Sequence, residues 1–70
     1  MNEFVWHNAN EIPAAPTVVK TNMMNYHIGY YSDGKWWLRN GRRFTEADKL
    51  LGVKESVTAW AYIGGESVNQ

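Results

Sequence analysis

Asp33 and Gly34 stand between two aromatic runs, Tyr30-Tyr31 before them and Trp36-Trp37 after them. A two-residue hairpin turn needs positive φ at its centre, which Asp and Gly tolerate and bulky residues do not. Aromatic side chains in turn suit the pleated surface of a strand. The pair therefore fixes an antiparallel hairpin, and any fold for this chain has to be built on one. The incoming strand is read as residues 26–31. Side chains alternate along a strand, so Tyr26, Ile28 and Tyr30 share one face and His27, Gly29 and Tyr31 the other. The returning strand is 35–39, with Trp36 and Leu38 on one face and Lys35, Trp37 and Arg39 opposite. Trp36 is expected to face the core, and Trp37 to be exposed unless a second layer covers it.

Two further strands follow from composition and pattern. Residues 17–21, Thr-Val-Val-Lys-Thr, are rich in β-branched side chains, and Asn22 to Asn25 reads as the turn after them. Residues 57–63 alternate Val57, Ala59, Ala61 and Ile63 with Thr58, Trp60 and Tyr62. Both faces are largely apolar, which predicts a central strand, ended by Gly64-Gly65. Asn40-Gly41 is a second turn signal. After it, Thr45 is the expected N-cap of a short helix over 46–51. Glu46 and Asp48 suit the positive end of that helix, Leu50 and Leu51 anchor it, and Gly52 stops it. Pro13 and Pro16 exclude a helix interior or a central strand between them. Phe4, Val5 and Trp6 read as a terminal anchor or a short strand, and residues 64–70 as a frayed tail.

The expected architecture is a single compact α+β domain over residues 1–70, with an ordered core over about 4–63. It has a small antiparallel β-sheet of about four strands and one short α-helix. Its expected core is Trp6, Val19, Ile28, Tyr30, Trp36, Leu38, Leu50, Leu51, Val57 and Trp60. A chain of 70 residues buries only about 60% of the surface its unfolded form exposes, so every large side chain matters. With no cysteine, disulfide staples and cysteine-ligated metals are excluded. Aromatic residues, 14% of the chain, supply the missing mass.

Composition narrows the function classes. His7 and His27 are too few for an all-histidine metal site, and the acidic residues lack ligand spacing, so no metal and no cofactor are expected. There is no phosphate-binding loop, no Gly-x-Ser-x-Gly elbow and no His-Glu-x-x-His. His27, the one catalytic candidate, is read as a half-buried packing residue, and the protein is expected not to be an enzyme. No apolar run approaches the ~20 residues of a membrane span, and the first six residues lack the pattern of a signal peptide. A cytoplasmic location is the expectation.

The formal net charge of zero conceals a dipole. Lys35, Arg39, Arg42 and Arg43 place four positive charges within nine residues, with no acid among them. Elsewhere the chain carries three positive and seven negative charges. Trp37 lies beside the cluster and Tyr31 across the hairpin. Tyr31, Lys35, Trp37, Arg39, Arg42 and Arg43 are therefore the expected contact surface. Trp, Tyr and Arg are the types enriched at protein-interface hot spots, and the same interleaving of rings and cations binds single-stranded nucleic acid.

The order Trp6, Glu11-Ile12-Pro13, Val18-Val19, Gly29-Tyr30-Tyr31, Gly34-Lys35-Trp36 and Val57-Thr58-Ala59-Trp60 resembles the small phage and prophage proteins grouped as domain of unknown function 551. The resemblance spans about residues 6–63. The chain departs from the family pattern at Ala59, where His is common, at Ile12, where Leu is common, and after Ile63, where the closing Leu-Pro is missing. The resemblance implies a phage or prophage origin, hence a bacterial host cytoplasm, and a small β-rich domain; it transfers no activity. The expected function is a non-enzymatic accessory protein that binds a host or phage protein, for instance as an inhibitor of a host enzyme or defence complex. A nucleic-acid-binding module using the hairpin 31–43 is the alternative, and a homodimer would also cover an exposed Trp face.

Overall fold

A computed structural model describes residues 2–67, and it contains the hairpin signalled by Asp33-Gly34. Strand β4 (Tyr26–Ser32) and strand β5 (Lys35–Asn40) pair antiparallel, with Gly29 opposite Leu38, Tyr30 opposite Trp37 and Tyr31 opposite Trp36. Asp33 and Gly34 both carry positive φ, 55° and 74°, as a type I′ turn requires. Before the hairpin comes β3 (Thr17–Thr21), joined to β4 by a tight turn. Thr21 organises that turn. Its Oγ1 accepts from the backbone N–H of Met23 and of Asn25, both at 3.2 Å, and donates to Glu55 Oε2 at 2.5 Å.

After the hairpin the chain turns again. Gly41 has φ 66°, and β6 (Arg43–Glu46) returns alongside β5 with Leu38 opposite Thr45 and Trp37 opposite Glu46. This strand corrects the reading of Thr45 as a helix cap. The sheet ladder takes Thr45 and Glu46, so α1 spans only Ala47–Leu51, and Glu46 occupies its N-cap position without a side-chain capping bond. Gly52 ends the helix as expected, and its N–H donates to the Asp48 carbonyl at 3.3 Å.

The chain then returns to the far side of the sheet. β7 (Val57–Tyr62) pairs with β3 on one side and with β2 (His7–Asn8) on the other. The antiparallel sheet thus has six strands in the order β2-β7-β3-β4-β5-β6, with β7 internal as its apolar faces predict. A second ribbon pairs β1 (Asn2–Glu3) with β8 (Glu66–Ser67). Two of the residues expected in a frayed tail therefore form a strand; residues 68–70 lie outside the described residues. Sequence reading finds four of these strands. β1, β2, β6 and β8 are two to four residues long, too short to show an alternating pattern.

Register assigns every side chain to a face. α1 and the 9–16 segment lie on one side, where Val19, Leu38, Ala47 and Trp60 form the buried core. Trp36, Leu50, Leu51, Val57 and Tyr62 pack against it. Pro13 is buried, the Trp60 Nε1–H donates to the Glu11 carbonyl at 2.8 Å, and the Ala14 N–H donates to the Tyr62 hydroxyl at 3.2 Å. Gly29 sits under Leu38. A Cβ there would stand 2.8 Å from the Trp37 carbonyl oxygen and 3.0 Å from Leu38 Cδ2.

Three expected core residues are elsewhere. Ile28 and Tyr30 are in register with Val18 and Trp37, on the face opposite Leu38, and are only partly buried. Trp6 is 42% exposed. The alternation within β4 was legible, but which of its two faces meets the helix depends on pairing with β5. Thr17 and Thr21, by contrast, are fully buried polar residues. Their hydroxyls are satisfied, Thr17 Oγ1 by the Gly29 carbonyl at 3.2 Å, as burial of a polar group demands.

Candidate functional site

The hairpin patch expected from sequence does not form one surface. Tyr31 faces the helix side, opposite Trp36, with the two rings edge to face at 5.2 Å. Lys35, Trp37 and Arg39 face the other side. Lys35 Nζ lies 3.1 Å from Glu46 Oε2. Trp37 is half-buried, and its indole N–H donates to the Ser32 carbonyl at 3.0 Å. The helix does not cover it, because α1 packs on the opposite face. Arg39 is exposed, and its Nε–H donates to the Gly41 carbonyl at 3.2 Å. Arg42 lies in the β5–β6 turn, and Arg43, opposite Asn40, falls by alternation on the helix side. A side chain's face changes with every residue along a strand, so six residues close in sequence are divided between two surfaces.

What the structure builds instead is an aromatic face on the side away from α1. Tyr26, Tyr30, Trp37 and Phe44 lie on it from three adjacent strands, with Val18 and Ile28 between. Trp6 packs against Tyr26 at 6.0 Å and against Phe4 at 5.9 Å. Tyr30 stacks offset on Trp37 at 6.5 Å and meets Phe44 edge-on at 4.6 Å. Phe4, Trp6 and Tyr26 are 52%, 42% and 56% exposed. α1 does not lie across this face, and residues 13–16 meet it at Tyr30, beside which they line a cleft. Lys20 Nζ sits 5.9 Å over the Trp6 ring, and Lys35 and Arg39 share the face. Sequence reading missed Trp6, Lys20, Tyr26, Tyr30 and Phe44 as surface residues. The period-two pattern of β4 was the available signal; the missing fact was the side on which the helix packs.

The helix side carries the other charges. His7 is stacked on Trp60 at 4.2 Å with an interplanar angle of 18°. Its Nε2 is 2.5 Å from Glu66 Oε2, and its Nδ1 is 3.3 Å from Glu11 Oε1. The hydrogen bond to Glu66 raises the His7 pKa, Glu11 adds to that rise, and partial burial opposes it. Only the imidazolium can donate to both carboxylates at once. The folded-state pKa lies above the ordinary 6.5. This contribution to stability is therefore complete below that value and is lost as pH rises through the raised one. Thermal melts between about pH 6 and pH 8.5 should show the wild-type Tm falling with pH, and Glu66→Gln should flatten the fall. A wild-type Tm that rises over this interval would contradict the assignment. At the other end of the sheet, hydrogen bonds from Thr21 and Asn25 hold the Glu55 pKa below its ordinary value.

Two clefts accompany the fold. One, of about 290 Å³, lies beside α1 and is lined by Tyr31, Trp36, Asp48, Leu51 and Ser56 among others. The second, of about 170 Å³, lies under Pro13–Pro16 beside Tyr30 and Tyr31. His27, the one catalytic candidate from sequence, lines neither. Among the described residues no group of three His, Cys, Asp or Glu could hold a metal ion, and no helix is long and apolar enough to cross a membrane. Compared with known protein families, curated proteins and solved structures, the chain matches none.

Proposed function

We propose that the protein is a non-enzymatic accessory protein, of the small phage kind its sequence resembles, that docks a macromolecular partner on the open face of its sheet. One observation carries this reading: six aromatic side chains, three of them exposed, gather on a sheet face that the helix does not cover. Contiguous exposed apolar surface of this kind marks an interaction site. Trp and Tyr at its centre with cations at its rim is the composition of binding hot spots. Docking on a flat face needs neither a walled pocket nor a catalytic group. The contact surface is thus moved from the hairpin tip to Trp6, Lys20, Tyr26, Tyr30, Trp37 and Arg39.

Capture from a bacterial lysate by the tagged full chain, with and without nuclease, tests the surface. The double variant Trp6→Ala/Tyr26→Ala removes exposed rings at little cost to the core. It should lose whatever the wild type retains, while Val53→Ser, a change at a fully exposed position after α1, should keep it. Retention by both variants would sink the proposal. Loss on reversing Arg42 and Arg43 to Glu, with Trp6→Ala/Tyr26→Ala unaffected, would return the contact to the hairpin tip.

A further inference from the structure

Charge on the open face points to the kind of partner. Among the described side chains, Lys20, Lys35 and Arg39 lie on it and Glu46 is its only acid, already paired with Lys35. Glu11, Glu55 and Glu66 are engaged with His7, Thr21 and Asn25 on the helix side, Asp48 lies in α1 and Asp33 in the hairpin turn. Among the described side chains, this ring-rich face thus carries three cations against one acid. We infer that this face takes a single-stranded nucleic acid, with bases stacked on the rings and phosphates on the flanking cations. The inference rests on the docking reading above and names its occupant.

The rings form two groups. Phe4, Trp6 and Tyr26 stand at one end of β4 with Lys20 over the indole; Tyr30, Trp37 and Phe44 stand at the other with Arg39 opposite Phe44 in register. Tyr26 and Tyr30 are four residues apart on one strand, a separation of about 13 Å. A strand with unstacked bases can engage both groups, because every base has a π face and stacking tolerates sequence. A duplex keeps its bases stacked on one another and offers the rings nothing. A second copy docked on the same face would set three cations and one acid of each chain against the same set.

The test is fluorescence anisotropy of labelled oligothymidylate and oligouridylate of about twelve nucleotides, within the length range that single-strand-binding folds cover. A duplex of equal length is the comparison. The full chain should bind at least one single strand, and the duplex much more weakly. Two or three phosphate contacts predict that affinity falls roughly tenfold between about 50 and 200 mM salt. Trp6→Ala/Tyr26→Ala should weaken binding about tenfold or more with unchanged circular dichroism. A preference for the ribose or the deoxyribose strand identifies the source of the ligand, and either supports the inference. Absence of single-strand binding at low salt, equal duplex binding, or indifference to Trp6→Ala/Tyr26→Ala overturns it. So does a dimer in sedimentation that this variant dissociates. If the oligonucleotides fail while lysate capture is still lost in the variant, the docking surface stands and only its occupant is wrong. If capture survives the variant, both readings fall.

Discussion

Trp60→Ala should leave the chain largely unfolded at 37 °C. Trp60 is 2% exposed and is internal in the sheet on β7. It stacks on His7, meets Tyr62 edge-on at 5.0 Å, and fixes the 9–16 segment through its bond to the Glu11 carbonyl. Truncating a buried Trp costs about 3–5 kcal/mol. A domain of this size is stable by roughly 0.05–0.15 kcal/mol per residue, so the loss is comparable to the whole margin. Each kcal/mol moves Tm by about 4–8 °C at this length, and a fall of at least about 12 °C is expected in a thermal melt followed by near-ultraviolet circular dichroism. Trp60→Phe keeps a ring against His7 and Tyr62 and forfeits the hydrogen bond, and should cost much less. A fall under about 5 °C for Trp60→Ala would show that the 9–16 segment does not depend on this side chain.

Gly29→Ala is the second large effect, and its sign is the informative part. Replacing glycine by alanine within a strand ordinarily stabilises, by roughly 0.5–1 kcal/mol, because the unfolded chain loses freedom. At Gly29 the new methyl group meets the Trp37 backbone carbonyl at 2.8 Å. A carbonyl held in the β4–β5 ladder cannot move aside without disturbing the pairing. The methyl also presses on Leu38, which is fully buried. Overpacking of this kind costs about 1–3 kcal/mol, so urea denaturation should give a midpoint below that of the wild type. A midpoint at or above the wild-type value would mean that β5 lies farther from β4 than described.

Much of the fold was legible because its signals are local. Asp33-Gly34 needed no tertiary information to announce a turn, and the β-branched run of 17–21 and the two-sided apolar pattern of 57–63 each marked a strand by itself, the latter one residue longer than β7. Gly52 likewise closed the helix. β6 was hidden because Arg-Phe-Thr-Glu is as short as a loop and its Thr45 also resembles a helix cap; pairing with β5 decided the matter. The candidate site was the least legible part. Lys35, Trp37 and Arg39 were placed correctly on one face, but Tyr31 was assigned to them across a hairpin whose register puts it with Trp36. Trp6 and Lys20 join the surface through contacts between segments remote in sequence, for which a single chain read by itself carries no sign.

The position of β7 between β2 and β3 also governs how the molecule is assembled. The strands β3 to β6 follow one another as neighbours and can zip up through short turns. β7 cannot join in that way: it is the last of the six sheet strands in the chain and must enter between two of the earliest. Closing the long loop from Thr21 to Val57 is an entropic cost that the successive hairpins avoid. Until that loop closes, β3 keeps an open edge of unpaired N–H and C=O groups, the feature through which nascent β proteins pair with the wrong chain. Docking of β7 thus covers that edge of β3, while the two residues of β2 pair with only part of β7 in turn. Changes that slow the docking of residues 57–62 should matter for the yield of soluble protein during synthesis as much as for the stability of the finished fold.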